Sequence, residues 1–356
     1  MPLHASRFCT SLLVAGALAA FAANSQAAAF TPKLGQAGKD VMWLPTPDAL
    51  VTRLLQMAQL APADRLVDLG AGDGKIVIAA ARDFGATARG VEFDPRLVEV
   101  AQARAASAGV SERARFVQGD IFKTDFSDAD VVAMYLLPQL NLKLRPTLLA
   151  MTPGTRIVTH WFDMGTWAPD ETTEVENRPG YLWIVPANVH GTWRIETAQD
   201  LVQHSEAAGV PAGVAPAGVR ARVERTAGEG QPPAPGVTAT ALQELTFTQK
   251  FQKVEGVLAL GKVQTSIHAA VLTGKHLRYG FTDLQGNRQL VRAVIDGDMM
   301  RGEITPASGL SAGADQATGA PRPFVARRTE QAGPLPGSEP PSEAEMNAAV
   351  ASLGAE

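Results

Sequence analysis

The chain has 356 residues, of which 46% are hydrophobic and 19% charged, enough for two folded domains with buried cores. Its formal net charge of -4 at pH 7 disfavours nucleic acid as a partner, because nucleic-acid-binding surfaces are strongly basic. The chain has one cysteine and six histidines, with no pair at metal-ligand spacing, so the sequence predicts neither a disulfide framework nor a metal site.

Residues 1–29 have the features of a secretory signal peptide. Arg7 lies close to the amino terminus, the apolar run Ser11–Ala23 follows, and small residues suited to a signal peptidase come next. The apolar run is too short for a helix that spans a bilayer, which needs about 20 residues. We therefore expect an exported, periplasmic protein with no membrane span after signal removal. The alternative is a cytoplasmic protein whose true start lies near Met42.

Residues 30–187 are predicted to form one domain, because from Trp43 to about Ala187 short apolar runs alternate with helical patterns, as is typical of a parallel α/β sheet. Strands are predicted at Arg65–Leu69, Ala86–Phe93, Arg115–Gln118, Asp130–Leu136, Arg156–Trp161, Thr172–Val175 and Tyr181–Val185. Helices are predicted over Lys75–Arg82, over a segment that starts after Asp94 and stops near Gly109, and over Leu140–Met151. The predicted fold is a Rossmann-like domain with seven strands.

Residues 188–305 show period-two alternation, which predicts an antiparallel β module able to close into a small barrel, with Trp193 plugging its core. Residues 207–237 are rich in Ala, Gly, Pro and Val, and we interpret them as a low-complexity insertion. Residues 306–356 contain few large apolar side chains, so we expect a disordered tail.

A glycine-rich turn follows the first strand of the predicted Rossmann-like domain. Gly70, Gly72 and Gly74 alternate with other residues, and Asp68 precedes the first of them by two positions. Glycines allow a tight turn and a close approach of the backbone to a ligand. The spacing differs from the dinucleotide fingerprint, and an acidic side chain suits a cationic ligand better than a pyrophosphate.

Two further acidic residues stand at predicted strand ends. Glu92 lies 22 residues beyond Gly70, where a carboxylate can accept hydrogen bonds from both ribose hydroxyls. Asp120 follows the third strand and can accept a hydrogen bond from an adenine amino group, with Ile121 and Phe122 against the ring. Either carboxylate alone could be a solvated loop residue, but the ordered set predicts a nucleoside-binding site.

With these motifs, the sequence resembles the class I S-adenosylmethionine-dependent methyltransferases. Leu44–Pro47, Asp68–Ala81 and Tyr135–Pro138 resemble the branch with the lysine methyltransferases of mitochondrial carriers and ATP-synthase c subunits. The resemblance implies S-adenosylmethionine as cofactor, held by the three acidic residues and the glycine-rich turn, with Thr46 also assigned to cofactor binding. Those lysine methyltransferases lack the β module predicted here.

The methyl acceptor is expected beyond the fourth strand, because the loop there faces the methyl group in this topology. Tyr135, Pro138 and Asn141 are the predicted substrate-side residues, with His160 and Asp163 next in rank. The alternatives are core packing for Tyr135 and a hydrogen-bonded structural histidine at position 160. Methyl transfer needs a nucleophile held in near-attack geometry more than a dedicated acid–base pair.

The sequence therefore predicts a methyltransferase that acts on a protein amine such as lysine, or on a small molecule or lipid. The alternative is a non-catalytic exported binding protein that keeps the methyltransferase fold and binds its ligand through the β module. A nicotinamide-dependent dehydrogenase is disfavoured by the glycine spacing.

Overall fold

The computed structural model describes residues 30–37, 42–196, 244–260, 262–308 and 316–353. The predicted signal peptide at 1–29 and the predicted insertion at 207–237 lie outside these ranges. A short antiparallel hairpin, β1 (Gln36–Ala37) and β2 (Met42–Trp43), precedes the first helix.

The first large sheet confirms the predicted Rossmann-like fold with seven strands. Its elements are α1 (Asp48–Met57), β3 (Arg65–Leu69), α2 (Lys75–Asp83), β4 (Thr87–Glu92), α3 (Pro95–Ser107), β5 (Ala114–Gln118), β6 (Val131–Met134), α4 (Pro138–Leu149), β7 (Arg156–His160), β8 (Glu171–Val175) and β9 (Arg178–Ile184). The strand order is β5-β4-β3-β6-β7-β9-β8, with β9 antiparallel to both neighbours. The order reverses beside β3, so the carboxyl ends of β3 and β6 border a ligand crevice.

Local sequence signals set the helix boundaries. The Asp94 side chain accepts a hydrogen bond from the backbone N–H of Arg96 and caps α3, and Pro95 occupies the first helical position. Helix α4 starts at Pro138 and continues through Pro146. The helices bury apolar residues on both faces of the sheet, as a parallel sheet requires.

The second sheet forms an antiparallel, nearly closed barrel, as predicted for the β module. Its strands are β10 (Gly191–Glu196), β11 (Glu244–Lys250), β12 (Lys253–Leu260), β13 (Val263–Ser266), β14 (His268–Thr273), β15 (His276–Thr282), β16 (Arg288–Asp296), β17 (Met299–Ser308), β18 (Gln316–Ala317) and β19 (Arg322–Arg328). The main path runs β13-β12-β11-β10-β19-β17-β16-β15-β14, and β18 pairs only with β17.

Large aromatic side chains fill the barrel. Trp193, Phe247, Tyr279 and Phe281 are all buried in one apolar cluster. The Trp193 indole donates its N–H to the Val189 carbonyl at 2.9 Å, and the Arg328 guanidinium lies 4.3 Å from the indole ring centroid. Trp193 therefore plugs the barrel core, as predicted.

The prediction of a disordered tail over residues 306–356 is wrong where a strand, β19, and a last helix form. Strand β19 pairs with β10 and β17, and its Phe324 and Ala326 are buried in the barrel core. Helix α5 (Glu343–Ser352) begins with a capping box between Ser342 and Glu345. Composition misleads here because a strand with partners on both sides needs only a few apolar residues of its own.

The barrel contributes a side chain to the core of the first domain. Phe251, at the turn between β11 and β12, is buried and stacks on Trp167 with ring centroids 5.9 Å apart. The Gln252 side-chain amide donates to the Ala168 carbonyl at 2.7 Å. The two sheets thus share one apolar cluster, with Leu335 also packed into it.

Candidate active site

A cleft with about 940 Å³ of empty space, part of it open solvent, lies at the carboxyl ends of β3, β4, β5 and β6. Eight residues named in the sequence analysis line it: Thr46, Asp68, Gly70, Gly72, Glu92, Asp120, Ile121 and Tyr135. The topology explains this convergence, because the ends of parallel strands meet at one edge of the sheet.

Asp68 is the most perturbed acid of the cleft. Its residue is 3% exposed, and burial, with the neighbouring charge of Glu92, raises the pKa of its carboxyl to about 8. A carboxyl in this position is protonated at neutral pH until a cationic group arrives to compensate its charge. The environment of Asp68 therefore favours a ligand that carries a positive charge.

Backbone amides orient the Glu92 carboxylate at the end of β4. Its Oε2 accepts a hydrogen bond from the Gly72 N–H at 2.8 Å, and its Oε1 accepts one from the Asp94 N–H at 2.9 Å. Each carboxylate oxygen has a second lone pair for another donor. A diol such as ribose could therefore donate to Glu92 without loss of these two bonds.

The end of β5 supplies the predicted adenine contacts. The Asp120 carboxylate accepts a hydrogen bond from the Phe122 N–H at 3.0 Å, and Ile121 lines the cleft beside it. Phe122 itself is exposed. Phe93, which the sequence analysis did not select, is also exposed and lines the cleft directly after Glu92. A large aromatic residue next to the acid that is predicted to bind ribose was the signal that could have identified it.

The glycines of the turn differ in what they do. Gly70 has φ +81°, and a Cβ there would stand 3.1 Å from the Leu136 side chain at the wall of the cleft. Gly74 has φ +82° and is the N-cap residue of α2, where a Cβ would lie 2.6 Å from the Phe116 ring. In this structure Gly74 thus permits the close packing of α2, whereas Gly70 and Gly72 line the cleft.

The charged residues that line the cleft indicate which kind of ligand it can bind. Asp68, Asp73, Glu92 and Asp120 line it with a single basic residue, Lys75. Arg104 forms an ion pair with Asp73, so the excess negative charge comes from Glu92 and Asp120, and Asp68 adds to it once a cationic ligand makes it ionise. A pyrophosphate would be repelled here, whereas the sulfonium and ammonium groups of S-adenosylmethionine would be attracted. The residues present therefore fit this cofactor.

Three residues meet on the side of the cleft away from Glu92. The Tyr135 ring and the buried His160 ring have centroids 3.9 Å apart, and His160 Nδ1 lies 3.1 Å from the Thr46 hydroxyl oxygen. Burial, with a contribution from the charge of Arg178, lowers the pKa of His160 to about 4. The imidazole is therefore neutral at physiological pH and forms the hydrogen bond that the structural alternative required.

The other predicted acceptor-side residues lie behind or beside this group. Asn141 is buried, and its amide donates to the carbonyls of Phe162 and Asp163 at 3.2 and 3.1 Å. Pro138 and Asp163 line a second cleft next to the first. The structure thus places Tyr135 at the cofactor cleft, and Asn141 beneath the loop that follows β7.

Within the described part of the chain, no three His, Cys, Asp or Glu side chains are grouped to hold a metal ion. No described helix is both long and apolar enough to cross a membrane.

Known proteins resemble this chain over the first domain. The ANTKMT methyltransferase domain matches residues 68–171. A protein-lysine N-methyltransferase of Saccharolobus islandicus is 40% identical over 151 residues, which cover 41% of this chain and 94% of that protein. The lysine N-methyltransferase of the ATP synthase c-subunit from Mus musculus is 40% identical over 109 residues, which cover 30% of this chain and 44% of that protein.

Among solved structures, an RNA methyltransferase of Salinibacter ruber in complex with S-adenosyl-L-homocysteine is 49% identical. The match covers 41% of this chain and 96% of that chain, with a TM-score of 0.40. The near-complete coverage of the Saccharolobus relative, the matching domain and the acidic nucleoside cleft agree. The chain belongs to the S-adenosylmethionine-dependent methyltransferases, and its residues 68–171 match the ANTKMT methyltransferase domain.

Proposed function

We propose that this methyltransferase transfers the methyl group of S-adenosylmethionine to a lysine amine of a protein. The observation that carries the proposal is the 40% identity to a protein-lysine N-methyltransferase over 94% of that protein's length. The relative from Mus musculus, which by its name acts on lysine in the ATP synthase c-subunit, supports the same acceptor group.

The cleft is suited to an amine that arrives as a cation and reacts as a neutral nucleophile. The acids that line it attract an ammonium group, and neutral His160 adds no positive charge that would repel it. Bound S-adenosylmethionine would supply a methyl group on its sulfonium. The amine, after it loses a proton to water, would attack the methyl carbon in line, and S-adenosylhomocysteine would leave. Tyr135 lines the cleft on the His160 side, where it can border the incoming amine.

Glu92 and Asp68 act on the cofactor side of this reaction. Glu92 is held by two backbone amides, so its carboxylate presents a fixed acceptor for ribose hydroxyls. Asp68 ionises when a cationic group enters and then stabilises that group in a site with little competing water. Holding the ligand in one orientation is the main contribution that the protein needs to make.

The experiment is methyl transfer from tritium-labelled S-adenosylmethionine to a cell extract divided into protein, RNA and small-molecule fractions. We expect label in protein, recovered as methyl-lysine after hydrolysis. Asp68→Asn is expected to abolish transfer because it removes the charge that compensates the cationic cofactor. Asp83→Asn is the matched control, since it removes a carboxylate that is exposed at the end of α2 and pairs with Arg82.

Titration of S-adenosylhomocysteine into the same samples separates cofactor binding from acceptor choice. Label found only in RNA or in small molecules, with cofactor binding intact, would overturn the lysine proposal. The absence of any cofactor binding by folded protein would contradict the assignment of the cleft itself.

A further inference from the structure

The carboxyl-terminal helix α5 returns to the methyltransferase domain after the barrel. The Arg145 guanidinium of α4, only 3% exposed, donates to both Glu345 oxygens at 3.0 and 3.3 Å, and the Thr166 hydroxyl donates to Oε1 at 3.0 Å. The hydrogen bonds from Arg145 lower the pKa of Glu345 to about 2, so the pair stays ionised at physiological pH. Helix α5 is therefore anchored at its first turn.

A second cleft, with about 810 Å³ of empty space, part of it open solvent, remains between α5 and the loop that follows β7. Trp161, Phe162 and Tyr181 line it on the methyltransferase side, and Ala348 lines it on α5. The cation–quadrupole attraction of aromatic faces suits an alkylammonium group. Two carboxylates, those of Asp163 and Glu345, line this cleft. Because Arg145 compensates the charge of Glu345, the negative charge of the cleft comes from Asp163.

The residues that line the second cleft and the cofactor cleft are neighbours along the chain, and no residue lines both. Pro138 lines the second cleft and Tyr135 lines the first, on the same short segment after β6. On the next strand, His160 contacts Tyr135, and Trp161 follows it directly. The ring contacts of His160 with Tyr135 and with Trp161 thus place one wall of the second cleft beside the cofactor cleft.

The backbone at this junction is strained and specifically supported. Trp161 has φ +71°, a left-handed conformation that is uncommon for a bulky side chain and often occurs at binding sites. The Thr159 hydroxyl donates to the Phe162 carbonyl at 2.7 Å, and Asn141 donates to the same carbonyl. These bonds hold the loop in the shape that leaves the cleft open.

We propose that the second cleft receives the lysine-bearing segment of the acceptor protein and that α5 forms one of its walls. This inference rests on the proposed function, whose acceptor group it places. Since 94% of the Saccharolobus relative aligns with only 41% of this chain, more than half of this chain has no counterpart there. Helix α5 lies outside residues 68–171, which match the methyltransferase domain. Through α5, a second part of the chain would help to select the acceptor protein.

The test compares Ala348→Trp with Asn347→Trp in the full chain. Ala348 lines the cleft, whereas its neighbour Asn347 is exposed and does not line it. The probe is an acetylated, amidated peptide with one lysine among glycines, and its binding is followed by saturation-transfer NMR at saturating S-adenosylhomocysteine. We expect Ala348→Trp to weaken binding of the peptide by about tenfold or more, because the larger side chain fills the space that the peptide needs.

The unfolding midpoint and the affinity for S-adenosylhomocysteine show whether each variant is folded. Unchanged values for both variants, together with loss of peptide binding in Ala348→Trp alone, support the inference. Equal peptide binding by the two variants would overturn it, as would a wild-type protein that binds no lysine peptide. In contrast, a wild-type enzyme that binds the peptide but methylates no lysine contradicts the proposed function.

Discussion

At the scale of single residues, the site contains two buried titratable groups whose pKa values move in opposite senses. Burial raises the pKa of Asp68 to about 8 and lowers that of His160 to about 4. Both shifts favour the neutral form, which lowers the cost of burying these groups before a ligand arrives. The cofactor cleft is therefore less charged at neutral pH than its composition indicates.

The first prediction concerns the stability of the cofactor-free protein. Because the folded pKa of Asp68 lies above its unfolded value, this group makes the protein lose stability as pH rises from about 4 to about 8. His160 has the opposite effect between about pH 4 and pH 6.5. Because its folded pKa lies below its unfolded value, its contribution to the free energy of unfolding grows as pH rises over this range. Asp68→Asn should thus raise the free energy of unfolding by about 2–4 kcal/mol at pH 8.

Urea unfolding from pH 5 to pH 9 measures this effect, with the exposed Asp83→Asn as control. A stability difference that stays constant over this range would show that Asp68 does not titrate as described. We expect the same substitution to weaken cofactor binding. Asp68→Asn should therefore make the protein more stable and less active.

At the scale of elements, the turn between β11 and β12 is part of the methyltransferase core. The buried Phe251 ring stacks on Trp167, and the Arg145 guanidinium lies 5.6 Å from its centroid. Arg145 also donates to the Met164 carbonyl and to Glu345. One side chain of α4 thus joins the barrel turn, the loop after β7 and the last helix.

Truncation of this aromatic side chain is the second prediction. Phe251→Ala should lower the free energy of unfolding by about 3–5 kcal/mol, because it leaves a cavity against Trp167. Val257→Ala, at a partly exposed position on β12, should change it by less than about 1 kcal/mol. Denaturant unfolding of both variants gives the comparison, and an equally small effect at Phe251 would mean that the barrel turn does not stabilise the domain.

Local signals explain which elements the sequence could predict. The run from Asp68 to Lys75 contains a strand end, a glycine turn and a helix start, and the Asp94–Pro95 cap is also complete within a few residues. In contrast, the insertion of Phe251 depends on residues more than 80 positions away, and the Arg145–Glu345 pair spans 200 positions. Strand β19 was missed because its stability comes from β10 and β17 rather than from its own composition.

The same distinction holds for the site. The ordered acids Asp68, Glu92 and Asp120 could be predicted because each follows a strand at a recognisable spacing. The second cleft could not, since α5 forms one of its walls and nothing local in Glu343–Ser352 indicates its partner.

At the scale of the whole molecule, the third prediction is that residues 30–187 alone are less stable than residues 30–356. The shorter fragment lacks Phe251 and Leu335, which pack into its core. It also lacks Glu345, so the buried Arg145 loses its ionic partner. We expect a lower urea midpoint and binding of the dye ANS to the exposed apolar surface. A fragment that unfolds at the same midpoint would show that the two sheets are energetically independent.

The position of β19 also has a consequence for the order in which the chain can fold during synthesis. This strand lies between β10 and β17, and its Arg328 donates to the Asn188 carbonyl just before β10. All seven strands of the first sheet are synthesised by Ile184, whereas the barrel stays open until strand β19 ends at Arg328. Until then β10 and β17 present unpaired edges that other chains could join, so a ribosome that stalls late would release a product prone to aggregate.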